Sequence, residues 1–207
     1  MTLRDILEFR GTWRTYQARV LKRADRYLMD GKIHIVAAPG SGKTTLGIEL
    51  MHRIAKPALV LAPSITIREQ WVSRIEEAFL REGYHGEDYF SQDIRNPKLI
   101  TVATYQALHS AMTRFAGQLD DEEEEDGDSG HTEVVDYSDF DLVATMQAAG
   151  ISVLCLDECH HLGANGGRHW RIFARSWVTL RLLHLLQHPL MIPARLCGIA
   201  IWLCAER

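Results

Sequence analysis

Four short apolar runs, separated by longer amphipathic stretches, dominate the pattern of hydrophobic and polar positions along the chain. Runs of this length that are rich in valine, isoleucine and leucine and end near proline or glycine predict buried β-strands. The predicted strands are KIHIVAA (32–38), ALVLA (58–62), LITVAT (99–104) and ISVLCL (151–156).

The stretches between these strands have helical spacing. Residues 3–30 mix apolar and basic residues at that spacing, and Ser64 is placed to cap a helix that continues to about Leu80. Further helices are predicted at 44–54, 105–115 and 139–150. Apolar strands that alternate with helices predict an α/β fold, with a parallel β-sheet flanked by helices on both faces.

One segment carries most of the negative charge. Residues 117–141 hold 12 Asp and Glu residues and no Lys or Arg, and the rest of the chain has 23 basic against 15 acidic residues, a net charge of +8. A basic body is compatible with a polyanionic partner. The acidic stretch cannot bury apolar area, so residues 117–138 are expected to form a disordered insertion, a solvated loop rather than a nucleic-acid mimic.

The overall composition fits one globular domain with a core, and 46% of the 207 residues are hydrophobic. The four cysteines form no CxxC pair, which indicates a reducing compartment and a cytoplasmic location rather than a disulfide framework. The first residues, MTLRDILEFR, contain no apolar core of a secretory signal, and no run of 18 apolar residues predicts a membrane span.

A glycine-rich loop follows the first predicted strand and precedes a helix. The sequence A-A-P-G-S-G-K-T-T (37–45) differs from the usual P-loop pattern only in having Ala37 where the first glycine stands. In such a loop the backbone N–H groups face a phosphate, the lysine (Lys43) reaches the outer phosphates and the hydroxyl of Thr44 can hold Mg²⁺. The residues predicted to contact nucleotide are Pro39, Gly40, Ser41, Gly42, Lys43, Thr44 and Thr45.

Two carboxylates follow the strand ISVLCL. Asp157 is predicted to hold Mg²⁺ from the end of a strand neighbouring the P-loop strand, and Glu158 to act as the base for the attacking water. A metal site made of Cys155, Cys159, His160 and His161 lacks a second ligand pair at zinc-like spacing. Cys155 is expected in the core, and His160 is expected to sense the nucleotide and pass its state to a neighbouring element.

These motifs resemble superfamily 2 helicases of the DExH kind. APGSGKT is similar to motif I of that family and DECH to motif II, and the nearest likeness is to type III restriction motor subunits and transcription-repair helicases. ALVLAPSITIREQW (58–71) is similar to motif Ia, TVATYQAL (101–108) to the next nucleic-acid-contacting motif, and WRTYQ (13–17) to the adenine-reading segment. The likenesses run in family order over residues 13–162.

The resemblance implies a RecA-like P-loop NTPase domain that uses ATP and Mg²⁺, with nucleic acid lying across the same sheet edge. Gln17 would read adenine. Pro63, Ser64, Thr104, Tyr105 and Gln106 would contact the nucleic-acid backbone, with DNA favoured over RNA. For Trp71 and Tyr105, packing of a helix on the sheet and stacking on a base both remain open.

The chain departs from the family after motif II. A [S/T]-A-T motif and a second lobe with an arginine finger are expected, but residues 177–207 are leucine-rich, broken by Pro189 and Pro193, and fit neither a strand nor a stable helix. Codons for 185–192, read one base earlier, can encode Thr-Ala-Thr-Pro-Pro-Tyr-Asp, which resembles the missing motif. We therefore expect a change of reading frame near Ser176 and Trp177; a divergent hydrophobic helix is the other reading.

Three segments summarise the expected organisation: a helical segment with the adenine-reading motif at 1–31, a RecA-like ATP-binding lobe at 32–176, and an aberrant tail at 177–207. Three functions remain open: the first lobe of a DNA helicase or translocase, a nucleotide-dependent binding module that hydrolyses ATP poorly, and an inert product. Without the second lobe, little hydrolysis and no unwinding are expected from the chain alone.

Overall fold

The computed structural model of the chain describes residues 1–28, 32–113, 116–119, 133–158 and 199–205. Six strands form one sheet in the order β1-β8-β7-β2-β4-β3, and every pair of neighbours in it is parallel. The strands are β1 (Lys32–Ala37), β2 (Ala58–Ala62), β3 (Phe90–Ser91), β4 (Ile100–Thr104), β7 (Val153–Asp157) and β8 (Ile199–Ala205). The predicted parallel α/β sheet is confirmed, and the sequence reasoning missed β3 and β8.

Helices cover both faces of this sheet. The helices are α1 (Leu3–Ile6), α2 (Thr15–Leu28), α3 (Lys43–Ile54), α4 (Ile65–Ala78), α5 (Gly86–Tyr89), α6 (Tyr105–Thr113) and α7 (Leu142–Ala148). One core cluster joins Val60 and Cys155 of the sheet to α1, α2, α3 and α4, and a second joins Leu59 and Leu156 to α6 and α7. Alternate residues of one strand therefore enter different cores, which is why β2, β4 and β7 are apolar throughout.

Strand β8 corrects the expectation that the tail fits no regular structure. Its sequence, IAIWLCA, is an unbroken apolar run, and its backbone pairs with β1 on one side and with β7 on the other. An apolar run suits this position because a central strand of a parallel sheet is covered on both faces. Residues 159–198 lie outside the described residues, so the expected change of frame near Ser176 stays a prediction.

The bounds expected for the acidic insertion are too wide. Strand β5 (Ala116–Leu119) pairs antiparallel with β6 (Glu133–Asp136), so both ends of the expected insertion belong to a two-stranded ladder. Tyr137 is 3% exposed and packs in the second core cluster, which anchors the return of the chain to the domain. Residues 120–132 lie outside the described residues, and the disorder expected there stays a prediction.

The N-terminal segment is two helices rather than one continuous stretch. Between α1 and α2 the chain is extended, and it runs along the end of α4: Glu8 N–H donates to the carbonyl of Phe79 at 2.7 Å, and Arg10 N–H donates to that of Ala78 at 2.9 Å. These bonds satisfy polar groups that a helix through residues 7–14 would have paired internally.

Candidate nucleotide-binding site

The loop between β1 and α3 has the conformation that its glycines permit. Gly40 and Gly42 have φ values of +71° and +86°, in the left-handed region that a side chain disfavours. The first hydrogen bond of α3 runs from Leu46 N–H to the Gly42 carbonyl, so the N–H groups of the first helical turn have no partner within the helix. A helix start of this kind is suited to binding phosphate.

Side chains from α2 and the residue preceding it support this loop from behind. The hydroxyl of Tyr16 donates to the carbonyl of Ser41, and Arg14 Nη1 donates to the carbonyl of Gly40 at 3.2 Å. Gln17 is 4% exposed, and its Nε2 lies 3.4 Å from the carbonyls of both Ser41 and Gly42. These donors occupy loop carbonyls, so the carbonyls do not have to face the side of the loop where an anion would bind.

Lys43 reaches across the sheet to motif II. Its Nζ lies 3.1 Å from Glu158 Oε1 and donates to the carbonyl of Ala37 at 3.3 Å. Glu158 follows β7, and β7 is not adjacent to β1, because β8 lies between the two strands. The expectation of neighbouring strands is therefore wrong by one strand. Two strand spacings are about 10 Å, a gap that needs a side chain as long as lysine.

Asp157 ends β7 and is buried, with 4% of its surface exposed. Its Oδ2 accepts a hydrogen bond of 2.7 Å from the indole N–H of Trp71, a fully buried residue of α4. Burial raises the pKa of the Asp157 carboxyl, and the nearby Glu158 adds to this, while the Trp71 hydrogen bond and the charge of Lys43 act in the opposite direction. The carboxylate is thus held in a place where a cation would stabilise its charge.

Glu158 has a strained backbone. Its φ of +46° lies in the left-handed region, which non-glycine residues seldom adopt. Such strain costs on the order of 1–3 kcal/mol and is concentrated at functional sites. The turn aims the Glu158 side chain at Lys43 directly after the strand ends.

These groups surround one cavity of about 700 Å³. Its lining combines most of the predicted loop residues, both motif II carboxylates and one side of α4. The lining residues are Pro39, Gly40, Gly42, Lys43, Thr44, Thr45, Thr66, Ile67, Glu69, Gln70, Trp71, Ser73, Arg74, Glu77, Asp157 and Glu158. Ser41 and Gln17 are not in the lining. Ser41 Oγ is buried without a hydrogen-bond partner, an orphaned donor at the predicted phosphate loop.

The donor set fits a magnesium–nucleotide complex. The Thr44 hydroxyl and the Asp157 carboxylate, which both line the cavity, are hard oxygen ligands of the kind that Mg²⁺ prefers. Within the described ranges, no group of three or more His, Cys, Asp or Glu side chains could hold a metal ion by itself. Mg²⁺ usually combines one or two protein oxygens with phosphate oxygens and water, so two ligands are enough if a nucleotide is bound.

The residues expected to contact nucleic acid lie at two helix starts on the same sheet edge. Ser64 caps α4, as predicted, and its Oγ accepts a hydrogen bond from Ile67 N–H at 3.3 Å, with Pro63 before it half-buried. The Thr104 side chain is 5% exposed, and its Oγ1 accepts from Ala107 N–H at 3.1 Å.

Tyr105 and Gln106 open the first turn of α6. The hydroxyl of Tyr105 donates to the carbonyl of Asp157 at 2.9 Å, so this group is turned toward motif II. Of the two readings left open for Trp71 and Tyr105, packing describes Trp71, which is fully buried.

Several sequence expectations concern the end of motif II. Cys155 is fully buried in β7 as a core residue, and burial raises the pKa of its thiol well above the usual value. Cys159, His160 and His161 lie outside the described residues, so the nucleotide-sensing role expected of His160 stays a prediction.

Sequence reasoning missed the α4 side of the cavity. Thr66, Gln70, Ser73 and Arg74 recur at helical spacing along one side of α4, and this periodicity was the available signal. The spacing does not indicate that this side of α4 faces the P-loop rather than solvent.

Comparison with known families supports a helicase-like domain. The model of the family described as "Type III restriction enzyme, res subunit" matches residues 10–188. The matched range contains the P-loop, motif II, α2 and α4, and it ends within the segment 177–207. No curated protein matches the chain. Among the described residues, no helix has the length and apolar character needed to cross a membrane.

Proposed function

Because the chain belongs to the family of the type III restriction enzyme res subunit and contains its helicase-like ATP-binding lobe, we propose that it binds Mg²⁺-ATP and that the activity served by this lobe is movement along DNA. The family membership agrees with the resemblance to DExH helicases drawn from the motifs. The step from an ATP-binding lobe to a DNA motor is the proposal.

The arrangement of Lys43, Asp157 and Glu158 around one cavity is the observation that supports the proposal most directly. The first comes from the P-loop and the other two from the end of β7, more than a hundred residues later in the chain. A buried carboxylate, a strained second carboxylate and a lysine at a helix start have no evident structural purpose in combination. In phosphoryl transfer, each of these three groups has a function.

Each residue then has a role that follows from its position. Lys43 would leave Glu158 and bind the outer phosphates, which carry more negative charge than one carboxylate. Thr44 and Asp157 would hold Mg²⁺, which would neutralise charge on the phosphates. Glu158, released from Lys43, would accept a proton at Oε1 from the attacking water. Gln17, which lies behind the loop, would contact adenine.

The nucleic acid would cross the starts of α4 and α6. Pro63, Ser64, Thr104, Tyr105 and Gln106 lie there, and contacts from backbone N–H groups at two helix starts would bind phosphates without reading sequence. The word "restriction" in the family description favours DNA over RNA. A cytoplasmic location, expected from the cysteine content, stays a prediction.

Hydrolysis by this chain alone is expected to be slow. In related enzymes an arginine finger supplied by a second lobe is worth roughly 10³-fold or more in rate. The alternative function is therefore a binding or regulatory module that responds to nucleotide without efficient turnover, which the same cavity also supports.

Titration of the purified chain with a fluorescent ATP analogue in Mg²⁺ tests the proposal. Lys43→Ala should weaken binding roughly tenfold or more, because it removes a charge-assisted contact to phosphate. Lys22→Ala, at an exposed position of α2, is the matched control and should bind like the wild type. No binding by the wild type, or equal binding by Lys43→Ala, would refute the ATP site.

Hydrolysis with and without single-stranded DNA separates the two functions. A motor lobe should show turnover that DNA stimulates, even if the rate is low, and Lys43→Ala should lose it. A binding module should bind DNA in a nucleotide-dependent manner without stimulated turnover. The absence of any DNA binding would exclude both versions of the nucleic-acid proposal.

The change of reading frame near Ser176 is a separate proposal about the gene. It is supported by the permitted codons for Thr-Ala-Thr-Pro-Pro-Tyr-Asp across 185–192. The coding DNA decides it directly, since the other frame should continue into a second helicase lobe. An early stop codon in that frame would reject it.

A further inference from the structure

The magnesium-ligand candidate Asp157 is held from two sides by aromatic residues of different helices. Trp71 of α4 donates its indole N–H to Asp157 Oδ2 at 2.7 Å, and Tyr105 of α6 donates its hydroxyl to the main-chain carbonyl of Asp157 at 2.9 Å. The first bond fixes the carboxylate and the second fixes the peptide that leads into Glu158.

The indole bond engages one of the two carboxylate oxygens. Oδ2 carries the hydrogen bond, so Oδ1 is the oxygen that Trp71 leaves for a metal. Because both side chains are buried, at 0% and 4% exposure, water cannot readily substitute for the indole N–H. A hydrogen bond to an ionised group in such a site is stronger than one between neutral groups.

The tyrosine bond lies where the chain turns. Asp157 is the last residue of β7, and Glu158 follows with its φ of +46°. A strained residue keeps its conformation only when its surroundings fix it. The Tyr105 hydroxyl supplies one such restraint on the peptide between the two carboxylates, and so on the direction in which Glu158 faces Lys43.

The two helices that carry these donors begin at the surface assigned to nucleic acid. Tyr105 follows Thr104, the residue whose side chain bonds to the first turn of α6, and Trp71 lies two helical turns after the α4 cap Ser64. A rigid helix moves as a unit, so a shift of either helix start would move a donor to Asp157.

We propose that Trp71 and Tyr105 are positioning residues that set the geometry of Asp157 and Glu158 and make it depend on nucleic acid bound at the starts of α4 and α6. This inference rests on the proposed ATP site and DNA surface. It adds to them a specific physical connection: two hydrogen bonds that end on the same residue.

Two ratios of nucleotide affinity, measured on the full chain, test this inference. The first is the gain in affinity for a fluorescent ATP analogue when Mg²⁺ replaces EDTA, and the second is the change in Mg²⁺-ATP affinity when oligothymidylate is added. Trp71→Phe removes the N–H and keeps a buried ring, and it should lower the first ratio roughly fivefold or more. Tyr105→Phe removes one oxygen and should reduce the second ratio toward one.

A core variant provides the control for a merely structural role. Phe79 is fully buried at the end of α4 and stacks near Phe9, with ring centroids 5.0 Å apart. Phe79→Leu should lower thermal stability while keeping both ratios. If it changes them as strongly as Trp71→Phe does, the effect is one of general packing and the positioning role is wrong.

The outcomes distinguish this inference from the proposed function. A wild-type chain without Mg²⁺-dependent ATP binding overturns the proposed function and the inference together. A wild-type chain that binds, with both ratios unchanged in Trp71→Phe and Tyr105→Phe, overturns the inference alone. If Trp71→Phe does not fold, Tyr105→Phe carries the test, since loss of a single hydroxyl leaves the packing of α6 intact.

Discussion

Lys43 Nζ lies 3.1 Å from Glu158 Oε1, so the lysine of the phosphate loop and the acid assigned as base are paired with each other. Lys43 is 7% exposed and Glu158 24%, and both residues line the cavity. A phosphate would therefore have to compete with Glu158 for the lysine. The group assigned to phosphate binding and the group assigned to proton transfer thus contact each other.

Glu158→Gln should separate binding from hydrolysis. The amide has no charge with which to hold Lys43, so affinity for Mg²⁺-ATP should stay equal to that of the wild type or increase severalfold, by about 1 kcal/mol at most. Turnover should be lost, because the amide cannot accept the proton of the attacking water. Equilibrium titration and a phosphate-release assay measure the two effects, and weaker binding by Glu158→Gln would contradict the competition.

Gly42→Ala should destabilise the loop for two reasons that can be separated. The φ of +86° disfavours a side chain by about 1–2 kcal/mol, and the new Cβ would lie 2.7 Å from Gln17 Nε2. Gly83→Ala is the matched control, since its φ is +84° and no atom lies within 4 Å of the added Cβ. Thermal unfolding should show a larger loss for Gly42→Ala than for Gly83→Ala.

The clash at Gly42 has its own test. Adding Gln17→Ala to Gly42→Ala removes the atom that the new Cβ meets, so the double variant should recover part of the lost stability relative to the sum of the single changes. Strict additivity of the two losses would show that Gln17 moves aside at no cost. Support of the loop by Gln17 would then be in doubt.

Asp157→Asn should raise thermal stability when no Mg²⁺ is present. Burial raises the pKa of the Asp157 carboxyl, which means that its charge is less favourable in the folded protein than in the unfolded chain. The amide removes that charge, and its oxygen can still accept the bond from Trp71. The melting temperature in EDTA at neutral pH is the measurement, and a lower value for Asp157→Asn would show that the charge stabilises the fold.

Glu49→Gln is the control for removal of a buried carboxylate. Burial raises the pKa of Glu49, but the neighbouring side chains of His52 and Arg53, which lie 3.5 Å and 2.8 Å from its carboxylate oxygens, more than offset this, so the net shift is downward. Its charge therefore stabilises the fold at neutral pH, and Glu49→Gln should lower the melting temperature. A rise in melting temperature for Asp157→Asn together with a fall for Glu49→Gln would identify Asp157 as the carboxylate whose charge no nearby cation balances.

Ile201→Pro should disrupt the sheet and the site together. The backbone at this position pairs with Ile33 of β1 and with Cys155 of β7, and proline in a central strand cannot donate to the ladder of hydrogen bonds. Both thermal stability and ATP binding should fall. Ile201→Val, which keeps the backbone donor and suits a strand, should leave both nearly intact.

If Ile201→Pro behaves like the wild type, β8 does not join β1 to β7 in solution. The original expectation of a tail without regular structure would then be restored. Circular dichroism at rising temperature, run beside the ATP titration, distinguishes this result from a general loss of folding.

The strands that sequence reasoning identified are those whose apolar runs are bounded by proline or by a change in pattern. ALVLA between Pro57 and Pro63 was placed at the bounds that the structure has for β2. The run IAIWLCA is also apolar throughout, but the tail around it is leucine-rich and broken by Pro189 and Pro193, so the pattern there predicts no regular element. Strand β3, with two residues, is too short to give any periodic signal.

The site residues likewise divide into those that a local pattern predicts and those that it does not. Two local motifs contain the loop glycines, Lys43 and Asp157, and local motifs can be recognised without knowing the fold. The partner of Trp71 is 86 residues away in sequence, and no spacing rule connects a helix residue to the end of a later strand. A buried indole N–H requires an acceptor, which predicts that Trp71 has a partner but not which one.

Strand β8 follows β7 in the chain, yet it occupies the gap between β1 and β7. During synthesis β1 and β7 emerge before residues 199–205, which form the strand that pairs with both of them. The unpaired N–H and C=O groups along the facing edges of β1 and β7 would be exposed throughout that interval, and such edges promote aggregation or binding by chaperones. Assembly of the pocket around Lys43 therefore has to wait until β8, which follows β7 in the chain, has been made.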